Sequence, residues 1–239
     1  EMLLFTDADC LPNSPSWARE VQSLYREKTD IVIGFSPYEK EKGLLNLFIR
    51  FETFYVGVQY LSMALAGKPF MGVGRNLSYK KPIFLKNKGY FKHKHITGGD
   101  DDLFINEVAT GKNTRVAWWL DSQTTSIPEK TWSSWYRQKM RHLGVGQHYN
   151  VSNKILLTLL SGSHLGFYTL LCLLLGLSMA GLVEWWIPVG GYVLRIISQI
   201  IVFEGARRRI DPTQPVWLLP FLDLLYIFYY IFVGMSALG

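Results

Sequence analysis

Four short stretches of this sequence carry residue types that could act on a charged substrate. The first is Thr6-Asp7-Ala8-Asp9, which follows the apolar run Met2-Leu3-Leu4-Phe5 and precedes Pro12-Asn13-Ser14-Pro15. Residues two apart on extended backbone share one face, and paired carboxylates suit a hard dication that also bridges phosphate oxygens. Aspartates also close Asx-type turns, so this pair alone leaves metal binding and turn capping both open. The second stretch is Gly72-Val73-Gly74-Arg75-Asn76. Its glycines let backbone approach a ligand closely, and the next two residues offer polar side chains, although an ordinary turn into a strand has the same composition. The third is Gly98-Gly99-Asp100-Asp101-Asp102-Leu103, at the start of a helix face formed by Leu103, Phe104, Val108 and Ala109. Capping and the helix dipole need only one acid there. Three adjacent carboxylates repel one another, and such repulsion beside an open glycine turn marks a functional cluster. Asp100 faces the most open space, and Asp102, nearest the first helical turn, is expected to serve as the cap. The fourth is Gln138 and Arg141, three apart and hence on one helical face.

The elements that must position these groups can be read from periodicity. The run at residues 2–5 reads as a short buried strand, and in open α/β sheets ligands bind at the carboxyl ends of strands. Residues 14–28 show amphipathic helical spacing, 31–35 a second strand, and 114–119 a third. Residues 43–66 form an apolar helix whose only charges are Arg50 and Glu52, so it is buried or lies against a membrane. Pro128 marks a turn and Thr131 an N-cap. The following mixture of Trp132, Trp135 and Tyr136 with Arg137, Lys139 and Arg141 suits a helix in a membrane interface. Residues 80–94 are lysine-rich without any recognised nucleic-acid module, so no nucleic-acid partner is expected. The lysines also repel a dication from His93 and His95.

The chain has 239 residues, a net charge of +6 and 49% hydrophobic content, unevenly spread. Up to Lys154 the composition is mixed and charged, whereas from Ile155 it is nearly lipid-like. This predicts a globular part over residues 1–154 and a membrane region over 155–239. Residues 165–183 carry no charge over about 28 Å of helix, enough to span a bilayer. Residues 185–203 (with Pro188 and Arg195) and 216–238 (with Asp223) are two further candidate spanning or interfacial helices. Arg195 and Asp223 would each lie about 10–12 Å inside, where a lone charge is costly, so the two are expected to pair. Arg207-Arg208-Arg209 and the basic residues of 137–142 place the globular part on the cytoplasmic side of a multi-pass cell-membrane protein. Cys10 and Cys172 imply no disulfide framework. No charged-then-apolar leader opens the chain, and both ends read as cut from a longer protein.

In their order and spacing the four stretches resemble the motif series of the family 2 inverting glycosyltransferases of GT-A fold, over about residues 1–150. The hydrophobic tail resembles that of their membrane-anchored members. The resemblance implies an α/β fold, with a partial GT-A domain followed by an all-α transmembrane region. It implies a UDP- or GDP-sugar donor and a lipid or saccharide acceptor. Asp7 and Asp9 would hold the nucleotide ribose and a divalent metal, Mg2+ or Mn2+, on the diphosphate. Gly74, Arg75 and Asn76 would lie beside donor sugar and acceptor. Asp100 would be the general base, or Asp101 if the pattern slides by one residue, with Asp102 also in this substrate-binding pattern. Gln138 and Arg141 would help hold diphosphate and acceptor. Gly99 stands where the pattern has Glu. His142 stands where it has Trp, which argues against processive polymerisation. The family's nucleobase-binding first half is absent, so residues 1–239 alone are expected to be inactive. Two other readings stay open: a phosphosugar transferase that uses the metal acids without a base, and a non-catalytic membrane protein whose acids only cap turns.

Overall fold

Strand direction determines which loops meet. The computed structural model describes residues 1–96 and 98–234. Its strands are β1 (Met2–Phe5), β2 (Cys10–Pro12), β3 (Ile31–Gly34), β4 (Leu77–Lys80), β5 (Thr114–Ala117) and β6 (Thr124–Ser126). Four of them form one sheet in the order β1-β4-β3-β5, and β2 pairs with β6. β4 is antiparallel to both β1 and β3, whereas β3 and β5 are parallel. β1, β3 and β5 therefore run the same way and finish at one edge, where β4 begins. Phe5 and Ile33 both stand opposite Leu77. The residues after β1 and those before β4 are thus brought together by register.

The helices of the mixed part follow the apolar pattern with shorter limits. α1 is Trp17–Ser23, trimmed at its start by a local hydroxyl pair between Ser14 and Ser16 at 2.8 Å. α2 (Leu44–Leu65) is apolar around most of its circumference and buried on more than one side, as such helices are. α3 is Lys81–Lys86, α4 Asp100–Val108 and α5 Trp132–Val145.

The tail comprises α6 (Val151–Met179), α7 (Trp186–Ile210) and α8 (Leu219–Phe228), the last leading into a π-helical turn at Tyr229–Gly234. Three helical segments are long and apolar enough to cross a membrane. The third, Val216–Val233, is 33% buried against 11% for each of the others, because α8 is packed on both sides. Residues 235–239, the end of the third expected span, lie outside the described residues.

Aromatic residues join the mixed part to the tail. On α2, Phe51 meets Tyr226 edge-on at 5.9 Å, Tyr55 meets Tyr226 at 4.8 Å, and Phe54 meets Phe203 at 5.6 Å. Buried residues from both parts share one large cluster, although the composition changes sharply between them, while Val21, Val32 and Ala117 form a second. At the start of α6 the Asn150 amide N–H donates to Asn106 Oδ1 of α4 at 2.8 Å.

Within the tail, Asp223 has no exposed surface. It accepts from Tyr168 on α6 (2.6 Å) and from Arg195 (3.1 and 3.3 Å) and Gln199 (2.9 Å) on α7. The expected Arg195–Asp223 pair is present, and three helices share it. His164 Nδ1 lies 3.0 Å from Arg195 Nη2 and 3.6 Å from Asp223 Oδ1. Asp223→Ala should leave the part-buried Arg195 without its counter-charge, a loss of up to about 3–5 kcal/mol. Thermal unfolding in detergent should show this as a lowered midpoint, with the reciprocal Arg195→Asp/Asp223→Arg swap recovering part of it. Failure of the swap to recover anything would remove the pair as the source of the loss.

A candidate active-site crevice at the carboxyl edge of the sheet

Asp7 follows β1 by two residues. The Cys10 amide donates to the Asp7 carbonyl at 3.1 Å, turning the chain into β2. Pairing of Cys10 with Ser126 across β2 and β6 brings the Ser126 hydroxyl to Asp9 Oδ2, to which it donates at 3.2 Å. Both acids remain open to solvent. The Asp7 carboxyl is nevertheless pushed above its ordinary value, first by surrounding protein and then by the charges of Asp9 and Asp100, against the pull of Arg75 and Arg141. Accessible but partly desolvated is what a crevice wall imposes. These influences also show that members of all four stretches lie within electrostatic reach of Asp7.

Gly74 and Asp101 connect the second stretch to the third. The Gly74 amide donates to Asp101 Oδ2 at 2.5 Å, while Asp101 Oδ1 accepts from the Asp102 amide at 2.8 Å. Burial pushes the Asp101 carboxyl up, and Asp100 adds to this, although the two amides oppose it. Asp101 therefore does the backbone capping expected of Asp102. The capping position itself is Gly99, in the left-handed region at φ 75° without a side-chain bond. Asp102 instead turns inward, to the Tyr149 hydroxyl and the Gly72 amide, with Oδ1 sealed off and unpartnered among the described residues. Burial, then the neighbouring Asp101, holds its carboxyl well above the ordinary range. The Asp100 side chain is exposed and makes no hydrogen bond among the described residues.

Arg75 and Asn76 separate in role. The Arg75 guanidinium stacks over the Tyr38 ring at 4.4 Å, and its Nη1 is buried without a hydrogen bond among the described residues. An unsatisfied cationic donor is suited to an anion. Asn76 is spent inside the fold: Oδ1 accepts from Trp17 Nε1 at 3.1 Å, and Nδ2 donates to the carbonyls of Phe35 and Ser122 at 2.8 Å each. Gly34 makes room for this, since a Cβ there would lie 2.3 Å from Asn76 Nδ2.

α5 opens as expected, with Thr131 Oγ1 accepting from the Ser134 amide at 3.1 Å. The helix rests on the glycine pair before α4. A Cβ on Gly98 would meet Arg141 Cγ at 3.3 Å, and one on Gly99 would meet Val145 at 2.3 Å. Glycine stands at 99, where the resembled pattern has Glu, because φ and packing both exclude a side chain. Gln138 lies one turn before Arg141 and is part-buried. His142 is also accessible yet walled by protein; desolvation, then the charges of Lys139, Arg141 and Arg75, push its imidazole down to about 4. It is neutral at physiological pH. Nothing in the sequence pointed to Tyr38, Ser126 or Tyr149, and it offered Lys139 only as an interfacial cation. The partner of Lys139 carried a signal of its own, as the single acid in an otherwise apolar helix.

At this edge the acids Asp7, Asp9 and Asp100 thus share one electrostatic neighbourhood with the cations Arg75 and Arg141. Among the described residues no three His, Cys, Asp or Glu side chains converge as a ready-made metal cage. Mg2+ does not require one, because it takes one or two carboxylates and completes its shell with water and substrate phosphate. Exposed Asp7 and Asp9 fit that donor chemistry.

Gly99→Ala should cost about 1–3 kcal/mol from backbone strain alone, and more from the Val145 clash, in chemical unfolding. Gly144→Ala, with nothing within 4 Å of its Cβ, should be neutral or stabilising by about 0.5–1 kcal/mol. For Asp102 the folded carboxyl holds its proton more tightly than the unfolded one. Its contribution to stability is therefore greatest at low pH and declines as pH rises above about 3.9, the unfolded value. Asp102→Asn should remove that decline, gaining on the wild type with rising pH in melting profiles. A variant that instead lost ground toward neutral pH would contradict a protonated Asp102. No protein-family model matches this chain, and no curated protein matches it significantly.

Proposed function

We propose that the crevice transfers a sugar from a nucleotide-sugar donor, with inversion, to a lipid or saccharide acceptor at the cytoplasmic face of a membrane. The observation that carries this is the two-sided charge of the crevice. Acids suited to a dication face arginines suited to phosphate, with Asp100 uncommitted between them and open to solvent. Bound by Asp9 and Asp7, Mg2+ or Mn2+ would neutralise charge developing on the leaving diphosphate. Arg75, whose Nη1 lacks a partner, and Arg141 take up the remaining phosphate charge. Gln138 supports the same side. Asp101 holds the Gly74 loop closed against α4 and so sets the distance between donor and base. Asp100 accepts the proton of the acceptor hydroxyl, a role that needs a carboxylate within about 2.6–3.2 Å of that oxygen. The free Asp100 favours this over phosphosugar transfer, which calls for the metal acids alone. Topology agrees with the chemistry. The arginines at the end of α7 and the basic α5 support a cytoplasmic crevice, since positive charge favours that side.

Release of nucleoside diphosphate by the full-length protein, with and without Mg2+, tests this. Asp9→Asn should abolish the metal dependence, and Asp7→Asn should weaken donor binding more than turnover. Asp100→Asn should lower turnover at least about a hundredfold with donor affinity little changed. Near-normal Asp100→Asn beside a dead Asp101→Asn would move the base by one residue.

A further inference from the structure

Helix α2 carries two charges in an otherwise apolar run, and both Arg50 and Glu52 are only 4% exposed. Two residues apart on a helix, they diverge by roughly 200° around its axis and leave α2 on nearly opposite sides. Arg50 reaches the link between α7 and α8. It donates to Asp211 Oδ2 at 3.5 Å and to Thr213 Oγ1, and its carbonyl accepts from Gln214 Nε2 at 3.2 Å. Glu52 reaches α5, where it accepts from Lys139 Nζ. Lys139 is next to Gln138 and within one turn of Arg141, and its charge is among those acting on His142 in the crevice. One turn earlier, Trp135 meets Phe48 of α2 edge-on at 5.6 Å and Tyr229 at 6.1 Å.

Burying an ion pair is weak support for stability, because desolvation offsets the Coulomb attraction, and apolar residues of similar size often serve as well or better. Aromatic packing already holds α5 against α2. What a charge pair adds is a defined register, since Lys139 must meet one carboxylate and no other point on α2. We propose that Glu52 is a positioning residue. It fixes α5 through Lys139, and thereby Gln138 and Arg141, over the Gly98-Gly99 turn. Arg50 ties the same helix to the α7–α8 link, so α2 transmits the placement of the membrane-facing helices to the phosphate side of the crevice. The phosphate role of Arg141 rests on the function proposed above; the positioning of α5 does not.

The test uses the full-length protein in detergent, with Glu52→Met/Lys139→Met and the reciprocal Glu52→Lys/Lys139→Glu. The probes are hydrogen exchange over residues 132–145, thermal midpoint, and affinity for Mg2+-pyrophosphate. The double-Met variant should keep or raise its midpoint while exchange over 132–145 quickens at least tenfold and pyrophosphate affinity falls at least tenfold. The reciprocal swap should return both toward wild type. A role in stability alone would leave the double-Met variant normal in exchange and affinity, and that result would overturn the proposal. So would faster exchange spread evenly over the whole chain, or a folded swap that restores neither readout. If wild type does not bind Mg2+-pyrophosphate, the sugar-transfer reading fails, while exchange over 132–145 still decides the positioning role.

Discussion

The antiparallel seating of β4 between β1 and β3 is the constraint on which the rest depends. One strand running against its two neighbours places its start beside their ends, with Leu77 opposite both Phe5 and Ile33. The glycine-rich loop before β4 and the acidic turn after β1 then share one edge, close enough for Arg75 to act on Asp7. β2 and β6, paired beyond that edge, bring Ser126 to Asp9. Asn76 sits underneath and bonds to residues of α1, the end of β3 and the turn before β6.

Around that edge, closeness of backbone is bought with glycine. Gly74 brings its amide onto Asp101, and Gly98 and Gly99 let α5 lie directly over the start of α4. Like charges that would repel in a looser arrangement are divided by task. Asp101 is occupied by backbone amides, Asp102 is turned inward to Tyr149, and Asp100 is left at the surface. Burial raises the first two and so lowers the negative charge packed into one helical turn.

The crevice and the apolar tail are mechanically one body. α2 contributes rings to both, α8 is held between α2 and the α6–α7 pair, and Asn150 fastens the start of α6 to α4. Rings packed in this way join the apolar helices to α5 through α2. A boundary drawn on composition falls near residue 154, yet the packing continues across it.

Much of this was legible from residue order, because the signals are local. Short apolar runs marked β1 and β3, and a strand-like stretch over residues 114–119 marked β5, which ends at Ala117. The Thr131 cap, the long apolar α2 and the lipid-like tail were also readable, since capping and amphipathicity depend on neighbours within a turn or two. The Arg195–Asp223 pair was accessible because two lone charges at similar depth in apolar helices have few other partners. The sequence by itself determined which residue types carry the charges and the order in which they occur. Tertiary structure alone decided their tasks. Asn76 looked free and is consumed by Trp17, Phe35 and Ser122. Asp102 looked like a cap and is turned inward to Tyr149, while Asp101 caps instead. Lys139 looked like an interfacial cation and is paired with Glu52, 87 positions away. In each case the deciding partner is distant in sequence, and hydrogen-bond satisfaction in a buried place depends on what the fold brings near.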